Sequence, residues 1–215
     1  MTRLILVRHG QSVANALEVG AGQKDYALTD LGIKQAELAA RYLTENEKID
    51  RVYSSDLQRA YNTALPISKK LGLPITSHPA LREINTGDFA GMKIMERNKL
   101  YPEKVKILKN DFGHMQYPNG ESVKESYERV VSYICEIARE NDGKCLLIAT
   151  HAGAIRLFQA FSEGFSWEDA GKVKDTENAS INVFECNGDK ANAIYTNFTD
   201  HLLGFESALP DGYKI

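Results

Sequence analysis

A chain of 215 residues, of which 43% are hydrophobic and 26% are charged, has the length and composition of one globular domain with a substantial core. Its 26 basic and 29 acidic side chains leave a formal net charge of -3, so the overall charge gives no general case for binding nucleic acid. No apolar run is long enough to cross a membrane and the first residues do not resemble a secretion signal, so we expect a cytoplasmic protein.

The first half of the chain alternates short strands with helices. Residues 4–7 form a continuous apolar run of the kind found in fully buried strands. The elements expected after it are the start of a helix at 11–19, a helix capped by Thr29 and running to about residue 45, a strand at 51–54, a helix opened by a Ser55/Gln58 capping box and ending near Gly72, and a strand at 74–77. Pro66 is expected to bend or shorten the last of these helices.

The second half continues the alternation after a glycine-containing loop at 85–92. Its expected elements are short polar helices within 93–112, a helix from the Ser122/Glu125 capping box to about residue 139, a core strand at 144–149, a helix at 154–161, and a strand pair at 180–185 and 191–196 joined by an Asn187-Gly188 turn. The tail from residue 203 onward is expected to be irregular. The pattern predicts a single three-layer α/β domain over residues 1–215, with a mainly parallel central sheet and helices on both faces.

Two histidines follow apolar strands directly, and each is followed by small residues. His9 comes after residues 4–7 and His151 after residues 144–149. Ligands of open α/β sheets bind at the carboxyl ends of the strands, so two such strands can build one site. A lone histidine would more simply be structural, but Arg8 stands beside His9, and a guanidinium fork matches phosphate oxygens. We therefore predict chemistry on an anion, with phosphate as the leading candidate.

Arg59 and Glu83 are the next candidates, and each has a simpler alternative. Arg59 lies in the first turns of the helix that follows residues 51–54, close to the same sheet edge, but it could equally be a solvated helix arginine. Glu83 could protonate a poor leaving group if its surroundings raise its pKa, whereas most loop glutamates are solvated charges. Spacing alone leaves both residues open.

At these residues the chain resembles the histidine phosphatase superfamily, the phosphoglycerate-mutase-like proteins, over nearly its whole length. The similar segments, in chain order, are Arg8-His9-Gly10 with Gln11-Ser12 and Asn15, Gly22 with Leu28-Thr29-Asp30-Leu31-Gly32, Tyr53 to Ala60, Leu81-Arg82-Glu83 with Gly87-Asp88-Phe89, Thr150-His151-Ala152-Gly153, and Asn178-Ala179-Ser180 with Thr199-Asp200-His201-Leu202. The first of these motifs alone would be weak evidence, but the set in order is specific.

The resemblance implies a two-step transfer in which His9 becomes phosphohistidine and Glu83 acts first as acid and then as base. It implies that the phosphoryl oxygens are held by Arg8, Arg59 and His151, with secondary contacts from Asn15 and Gly22. It implies no cofactor and no metal. The expected partner is a small phosphorylated metabolite, with neither nucleic acid nor membrane.

Four functions fit this pattern, in decreasing order of support. The first is a phosphatase, because the segment between the acid motif and the second histidine is modest, whereas the resemblance implies a longer insertion in glycolytic mutases. The second is mutase-type phosphoryl transfer. The third is a metallohydrolase, in which His9, His151 and Glu83 imitate a zinc site, and the fourth is an idle phosphate-binding module. Gln11 and Ala90 stand where many members carry Glu, which affects substrate contacts only.

The remaining features have mainly structural interpretations. Residues 92–120 form the variable segment, and its basic residues at 93–109 are either a solvated helix face or part of a lid that attracts anions. His78, His114 and His201 are interpreted as surface or structural, although the resemblance leaves open a place near the site for His201. The aromatic residues interpreted as core or as an oligomer contact, which would make a homodimer, are Phe158, Phe161, Phe165 and Trp167.

Overall fold

The strands assemble into one six-stranded sheet in a computed structural model that describes residues 1–207. They are β1 (Thr2–Arg8), β2 (Arg51–Ser54), β3 (Ile75–Ser77), β4 (Cys145–Thr150), β5 (Ile181–Asn187) and β6 (Lys190–Phe198). Their spatial order is β3-β2-β4-β1-β5-β6. Pairing is parallel from β3 to β1, whereas β5 is antiparallel to both β1 and β6. The mainly parallel central sheet predicted from the sequence is therefore confirmed.

Helices cover both faces of this sheet. They are α1 (Val13–Ala16), α2 (Asp30–Asn46), α3 (Gln58–Leu71), α4 (Ile94–Leu100), α5 (Pro102–Asn110), α6 (Val123–Glu140) and α7 (Ala152–Ser162). Successive side chains of a strand point to opposite faces, so Leu4 and Leu6 pack with α6 and α7, while Ile5 and Val7 pack with α2 and α3. The three-layer architecture is thus confirmed.

Capping explains where most helices begin, and it shows where the sequence interpretation was wrong. Thr29 caps α2 through Gly32, and the Ser122/Glu125 capping box opens α6, both as predicted. The predicted Ser55/Gln58 box is absent, because the N–H of Gln58 donates instead to Asp25 Oδ1 at 2.8 Å. A partner distant in sequence has replaced the local cap.

One helix is shorter than expected, and another is not shortened by its proline. The helix expected at residues 11–19 extends only over Val13–Ala16, capped by Ser12 with Asn15 as its box partner. Pro66 does not shorten α3, which continues to Leu71 and ends at Gly72 in the left-handed region (φ 66°). Its predicted end near Gly72 is confirmed.

The segment 92–120 contains the expected short helices, α4 and α5, and a 3-10 turn at Phe112–His114. Its apolar side chains belong to a third cluster, which also includes residues of the preceding loop, of α6 and of α7. From the segment itself come Leu108, Phe112, Met115 and Tyr117, and from the neighbouring elements Ile84, Phe89, Val123 and Leu157. Lys93, Lys99, Lys106 and Lys109 are exposed. The segment is thus packed onto the domain through an apolar inner face. Within residues 1–207, no helix combines the length and apolar character needed to span a bilayer.

Candidate active site

The carboxyl ends of β1 and β4 bring the two strand-end histidines together. The strands are paired in parallel with Arg8 opposite Thr150, and the N–H of His9 donates to Thr150 O at 2.9 Å. The imidazole rings of His9 and His151 lie edge to face, with their centroids 5.2 Å apart. The sheet edge therefore carries the convergence that the sequence predicted.

The tautomer of His9 is fixed by the backbone carbonyl of the next residue, Gly10. Its Nδ1 lies 2.7 Å from Gly10 O, and because a carbonyl oxygen can only accept, Nδ1 carries the proton and Nε2 keeps its lone pair. The ring is buried but lines a cavity. Burial, followed by the charges of Arg59 and Arg8, lowers the pKa of His9 well below its usual value, so the ring is a neutral base near pH 7. Position 10 must be glycine, since a Cβ there would lie 2.4 Å from Gly32 O.

Two buried arginines flank this imidazole, and backbone carbonyls hold both. Arg8 Nη1 donates to Thr176 O, and Arg59 donates to Lys24 O at 2.9 Å and to Gly22 O at 2.8 Å. A carbonyl orients the guanidinium of Arg59 without neutralising it, and Arg8 and Arg59 line the same cavity. Burial lowers the pKa of Arg59, which shows how poorly solvated this charge is. The arrangement favours a bound anion.

His151 is fully buried, and neither of its ring nitrogens has a hydrogen-bond partner among residues 1–207. Burial, followed by the charge of Arg59, lowers its pKa well below the usual value. Buried polar atoms in proteins are nearly always paired, so the ring nitrogens of His151 are available to contact an anion beside His9.

Glu83 faces the cavity from the loop after β3, with its carboxylate at the start of α7. Its oxygens accept from the N–H of Ile84 at 3.0 Å and from the N–H of Gly153 at 3.3 Å. Burial raises the pKa of Glu83, although these two N–H groups and Arg59 oppose the shift. A carboxyl whose pKa is raised holds its proton to a higher pH than an ordinary glutamate, which suits it for general acid catalysis.

Asn15 and Gly22 complete the predicted set in different ways. Asn15 Oδ1 accepts from the Ser12 backbone at 3.0 Å and from Asn178 Nδ2 at 3.3 Å, which leaves the Nδ2 group of Asn15 for a ligand in the cavity. Gly22 has φ 49° and holds Arg59 through its carbonyl. A Cβ at position 22 would lie 2.3 Å from Thr86 Oγ1, so only glycine fits.

All of these residues except His151 line one cavity of about 170 Å³. We call Arg8, His9 and Arg59, together with His151 against the His9 ring, its sheet end. We call the opposite wall its distal end, which consists of Ile94, Arg97, Leu108, Phe112, Tyr117, Arg156 and Asp175. Glu83 acts electrostatically on both ends, because its charge affects Arg59 at one and Tyr117 at the other.

Comparison with known proteins shows where this site belongs. A model of the histidine phosphatase superfamily (branch 1) matches residues 4–199. The chain belongs to this superfamily.

Relatives within the superfamily include both phosphatases and mutase-like proteins. The chain is 35% identical to phosphoglycerate mutase-like protein 4 of Arabidopsis thaliana over 190 residues. This aligned region covers 87% of this chain and 81% of that protein. It is 33% identical over 186 residues to the metal-independent phosphoserine phosphatase of Arabidopsis thaliana, covering 85% and 76%. A mycobacterial glucosyl-3-phosphoglycerate phosphatase, solved with VO3, matches with a TM-score of 0.85 at 25% identity over 92% of this chain and 99% of that one.

Sequence reasoning considered the segment 92–120 as a lid, but it named no residue of the distal end as a site residue. Arg156 lies one helical turn after Ala152 on α7, so the helical period could have placed it on the cavity face. Thr86, Asp175 and Tyr117 carried no such signal, because only the tertiary fold brings their loops to the cavity. Thr86 Oγ1 is buried without a hydrogen-bond partner in the described part of the chain.

The other histidines lie elsewhere in the domain. His201 is not at the site: it packs against Tyr42 and Phe198, with both ring centroids 5.7 Å away, in a separate groove. His78 stacks on Tyr133 with centroids 4.0 Å apart, and His114 is exposed beside Asp111. Among residues 1–207, no group of three or more His, Cys, Asp or Glu side chains could hold a metal ion.

Proposed function

We propose that this chain is a phosphatase that hydrolyses a small phosphomonoester through a phosphohistidine on His9. The observation that carries the proposal is the state of His9, a buried neutral imidazole whose Nδ1 proton is tied to Gly10 O. Arg8 and Arg59 line the same cavity as His9, and each donates to a backbone carbonyl. Neutral imidazole is a competent nucleophile toward phosphorus and needs no further activation.

In the first step, Nε2 of His9 attacks phosphorus in line and the bond from phosphorus to the ester oxygen breaks. The proton on Glu83 moves to the departing alkoxide, which leaves as an alcohol. Arg8 and Arg59 stabilise the charge on the three phosphoryl oxygens. His151 donates from one ring nitrogen to the same group, which satisfies an atom that is otherwise orphaned. Asn15 adds a donor, while Gly22 acts by holding Arg59.

In the second step, water attacks phosphorus and the bond from phosphorus to Nε2 breaks. Glu83, now a carboxylate, accepts the proton that the water releases. Inorganic phosphate leaves, and both His9 and Glu83 return to their starting protonation states. The proposed cycle uses no metal and no cofactor, as the name of the metal-independent relative also suggests.

Mutase-type transfer is the second candidate, because one relative is named as mutase-like. It shares the phosphohistidine and differs only in the acceptor, which would be an alcohol instead of water. A mutase must keep water from the phosphohistidine. The helices α4 and α5, which contribute to the lining of this cavity, have only 7 and 9 residues, and we expect so short a segment to leave the phosphohistidine accessible to water.

One experiment separates these functions. The enzyme is given 3-phosphoglycerate with and without 2,3-bisphosphoglycerate, and both free phosphate and 2-phosphoglycerate are followed. We expect phosphate release without need of the bisphosphate. Rapid isomerisation that depends on it, with negligible phosphate, would establish the mutase.

Two parallel assays address the remaining classes. Turnover of p-nitrophenyl phosphate excludes an idle phosphate-binding module, and unchanged turnover in EDTA excludes a metallohydrolase. We also propose that the protein acts in the cytoplasm. A homodimer stays a prediction, to be tested by light scattering; of the aromatic residues considered for that contact, Phe158 is fully buried in the core.

A further inference from the structure

The general acid Glu83 lies in a segment that no helix or strand holds in place. The 3-10 turn Pro79–Leu81 ends just before it, and the next 3-10 turn, Gly87–Phe89, begins after it. The backbone carbonyl and N–H groups between these turns therefore need partners from elsewhere in the chain. A displacement of about 1 Å can slow a positioned reaction about a hundredfold, so the contacts that hold this segment affect the proton transfer. We call residues 80–85 the acid segment.

Arg129 on α6 holds the acid segment with its guanidinium. Its Nη1 donates to Ala80 O at 2.9 Å and to Arg82 O at 3.1 Å, and its Nη2 donates to Glu83 O at 3.3 Å. Its Nε and Nη2 also donate to Glu121 Oε1 and Oε2, both at 2.8 Å. A guanidinium has five N–H donors in a rigid plane, and these five hydrogen bonds use all of them.

Glu121 extends the contact to the other side of Glu83. Its Oε2 accepts from the N–H of Asn85 at 2.8 Å, and its own N–H donates to Asn85 O at 2.8 Å. Burial alone would raise the pKa of Glu121, but the hydrogen bonds from Arg129 and from the Asn85 N–H outweigh burial and lower it. Glu121 is therefore a carboxylate at neutral pH. The pair of Arg129 and Glu121 thus contacts the backbone both before and after Glu83.

The carboxyl of Glu83 is held by a different helix. The N–H of Gly153, at the start of α7, donates to Glu83 Oε2 at 3.3 Å. Because α6 and α7 pack in one core cluster, the backbone of Glu83 and its carboxyl are fixed against one common frame. Gln23 also donates to Glu83 O, at 3.0 Å, so the contacts with Ala80 and Arg82 are what distinguish Arg129.

We propose that Arg129 and Glu121 are positioning residues for the general acid, and that they fix the acid segment so that the Glu83 carboxyl meets the leaving oxygen. Neither residue lines the cavity, so both act through Glu83 and not on the substrate. This inference rests on the proposed phosphatase function. It implies that loss of the planar contact slows proton donation and leaves the attack by His9 intact.

Two aryl phosphates of similar shape test this role. Phenyl phosphate lacks the nitro group of p-nitrophenyl phosphate, so its leaving group is more basic and depends more on a proton from Glu83. Arg129→Lys keeps the positive charge but loses the planar fork. We expect it to lower kcat/KM by about tenfold on phenyl phosphate and by less than about threefold on p-nitrophenyl phosphate. Both values come from one preparation, so their ratio does not depend on how much of it is folded.

The matched control is Arg139→Lys, the same substitution on the same helix. Arg139 pairs with Asp189, and its side chain is 49% exposed. We expect this variant to keep the wild-type ratio of the two substrates. An equal change of the ratio in both lysine variants would assign the effect to α6 as a whole and would overturn the proposal.

Glu121→Gln is a second variant, which retains the shape of the side chain. One of its two terminal atoms is an N–H donor and would face an N–H of Arg129 or of Asn85. We expect the same preferential loss on phenyl phosphate. A wild-type ratio in both Glu121→Gln and Arg129→Lys would show that these contacts are structural only and would overturn the positioning role.

A double-mutant cycle tests whether Arg129 acts through the acid. In a Glu83→Gln background the proton donor is already lost, so adding Arg129→Lys should cause almost no further loss on phenyl phosphate. A loss of about tenfold in both backgrounds would mean that Arg129 affects the site independently of Glu83, and the proposal would be wrong.

Turnover of p-nitrophenyl phosphate by wild type distinguishes this proposal from the proposed function. If wild type hydrolyses it but Arg129→Lys keeps the wild-type ratio of the two substrates, the positioning proposal is wrong and the phosphatase proposal stands. If wild type does not hydrolyse it, the phosphatase proposal fails, and the positioning role fails with it.

Discussion

The two ends of the cavity are constructed differently. At the sheet end, Arg8 is the last residue of β1, and His9 and His151 follow β1 and β4 directly. The register of these two parallel strands sets their relative positions. At the distal end, the side chains come from α4, α5, two loops and the second turn of α7. Their positions depend on how a separate apolar cluster packs against α6 and α7.

Because of this difference, we expect the sheet end to determine catalysis and the distal end to determine substrate specificity. The sheet end is rigid, because strand pairing and backbone carbonyls hold its charges, and it would bind a phosphoryl group in the same way whatever the alcohol. The distal end is made of side chains on short elements, which sequence change can alter without disturbing the sheet. Substitutions at the sheet end should therefore reduce turnover of every substrate alike, and those at the distal end should change the ranking of substrates.

The largest effect is expected at the sheet end, from His9→Ala. Without the nucleophile no phosphohistidine forms, so kcat should fall by at least about a thousandfold on every phosphomonoester. Acid-labile, alkali-stable phosphate should be trapped on wild type during turnover and be absent from the variant.

Replacement of an exposed histidine is the control for that experiment. His114 lies in the segment 92–120 and its side chain is 54% exposed, so His114→Ala should keep full activity. Undiminished turnover by a correctly folded His9→Ala protein would contradict the mechanism at its centre.

The boundary between the two ends is tested by Glu83→Gln. A poor alkoxide leaving group needs the proton of Glu83, whereas nitrophenolate leaves without one. We expect kcat/KM to fall by about a hundredfold on an alkyl phosphate and by less than about tenfold on p-nitrophenyl phosphate. Equal losses on the two substrates would show that Glu83 is not the general acid.

A smaller effect at the same boundary is expected from Gly153→Ala. A Cβ at position 153 would lie 2.3 Å from Glu83 Oε1 and 3.0 Å from Ile84 Cδ1, so the carboxyl must move and loses the N–H contact that positions it. We expect a loss of about tenfold on alkyl phosphates and almost none on p-nitrophenyl phosphate.

Gly171→Ala is the matched control for that substitution. Its added Cβ would meet Phe112 Cβ at 3.5 Å and Phe112 N at 3.8 Å, which are ordinary contacts. A loss in Gly153→Ala that is equal on both substrates would indicate general distortion of α7 and not displacement of the acid.

The same division explains what could be predicted from the sequence. The apolar runs before His9 and His151 predicted two buried strands, and the rule that ligands bind at strand ends then predicted their meeting, which the parallel register of β1 and β4 produces. The sheet end could thus be predicted, because apolar runs next to each histidine determine where its strand ends. The start of α3 was misread because its cap, Asp25, comes from a distant loop.

The distal end could not be predicted from the sequence, because its residues are distant in sequence and meet only in the folded chain. Arg156 and Asp175 are separated by the 3-10 segment Trp167–Lys172, and only the packing of that segment brings the two charges within 3.5 Å. Periodicity carries no information about such a contact. His201 shows the opposite error, because a motif suggested a place near the site whereas the fold directs the ring to Tyr42.

The smallest predicted effect concerns the pH dependence of stability, to which buried His9 and exposed His114 should contribute with opposite signs. His9 is buried with its pKa well below the ordinary value, so between that lowered pKa and about 6.5 the unfolded chain binds a proton that the folded chain does not. Stability should therefore decrease as the pH falls below about 6.5. At His114 the carboxylate of Asp111 raises the pKa, so its contribution has the opposite sign: it is present at low pH and is lost as the pH rises.

The measurement is the free energy of unfolding in urea at pH 7.5 and pH 5.5, in buffers free of phosphate, because a bound anion would itself stabilise the fold. On lowering the pH, wild type should lose about 1.4 kcal/mol more than His9→Gln, which has no proton to take up at this position. His114→Gln should not reproduce that difference, since its side chain is solvated in both states. If wild type and His9→Gln lose the same stability, the folded imidazole of His9 already carries a proton at pH 5.5. The neutral nucleophile on which the sheet end depends would then need another explanation.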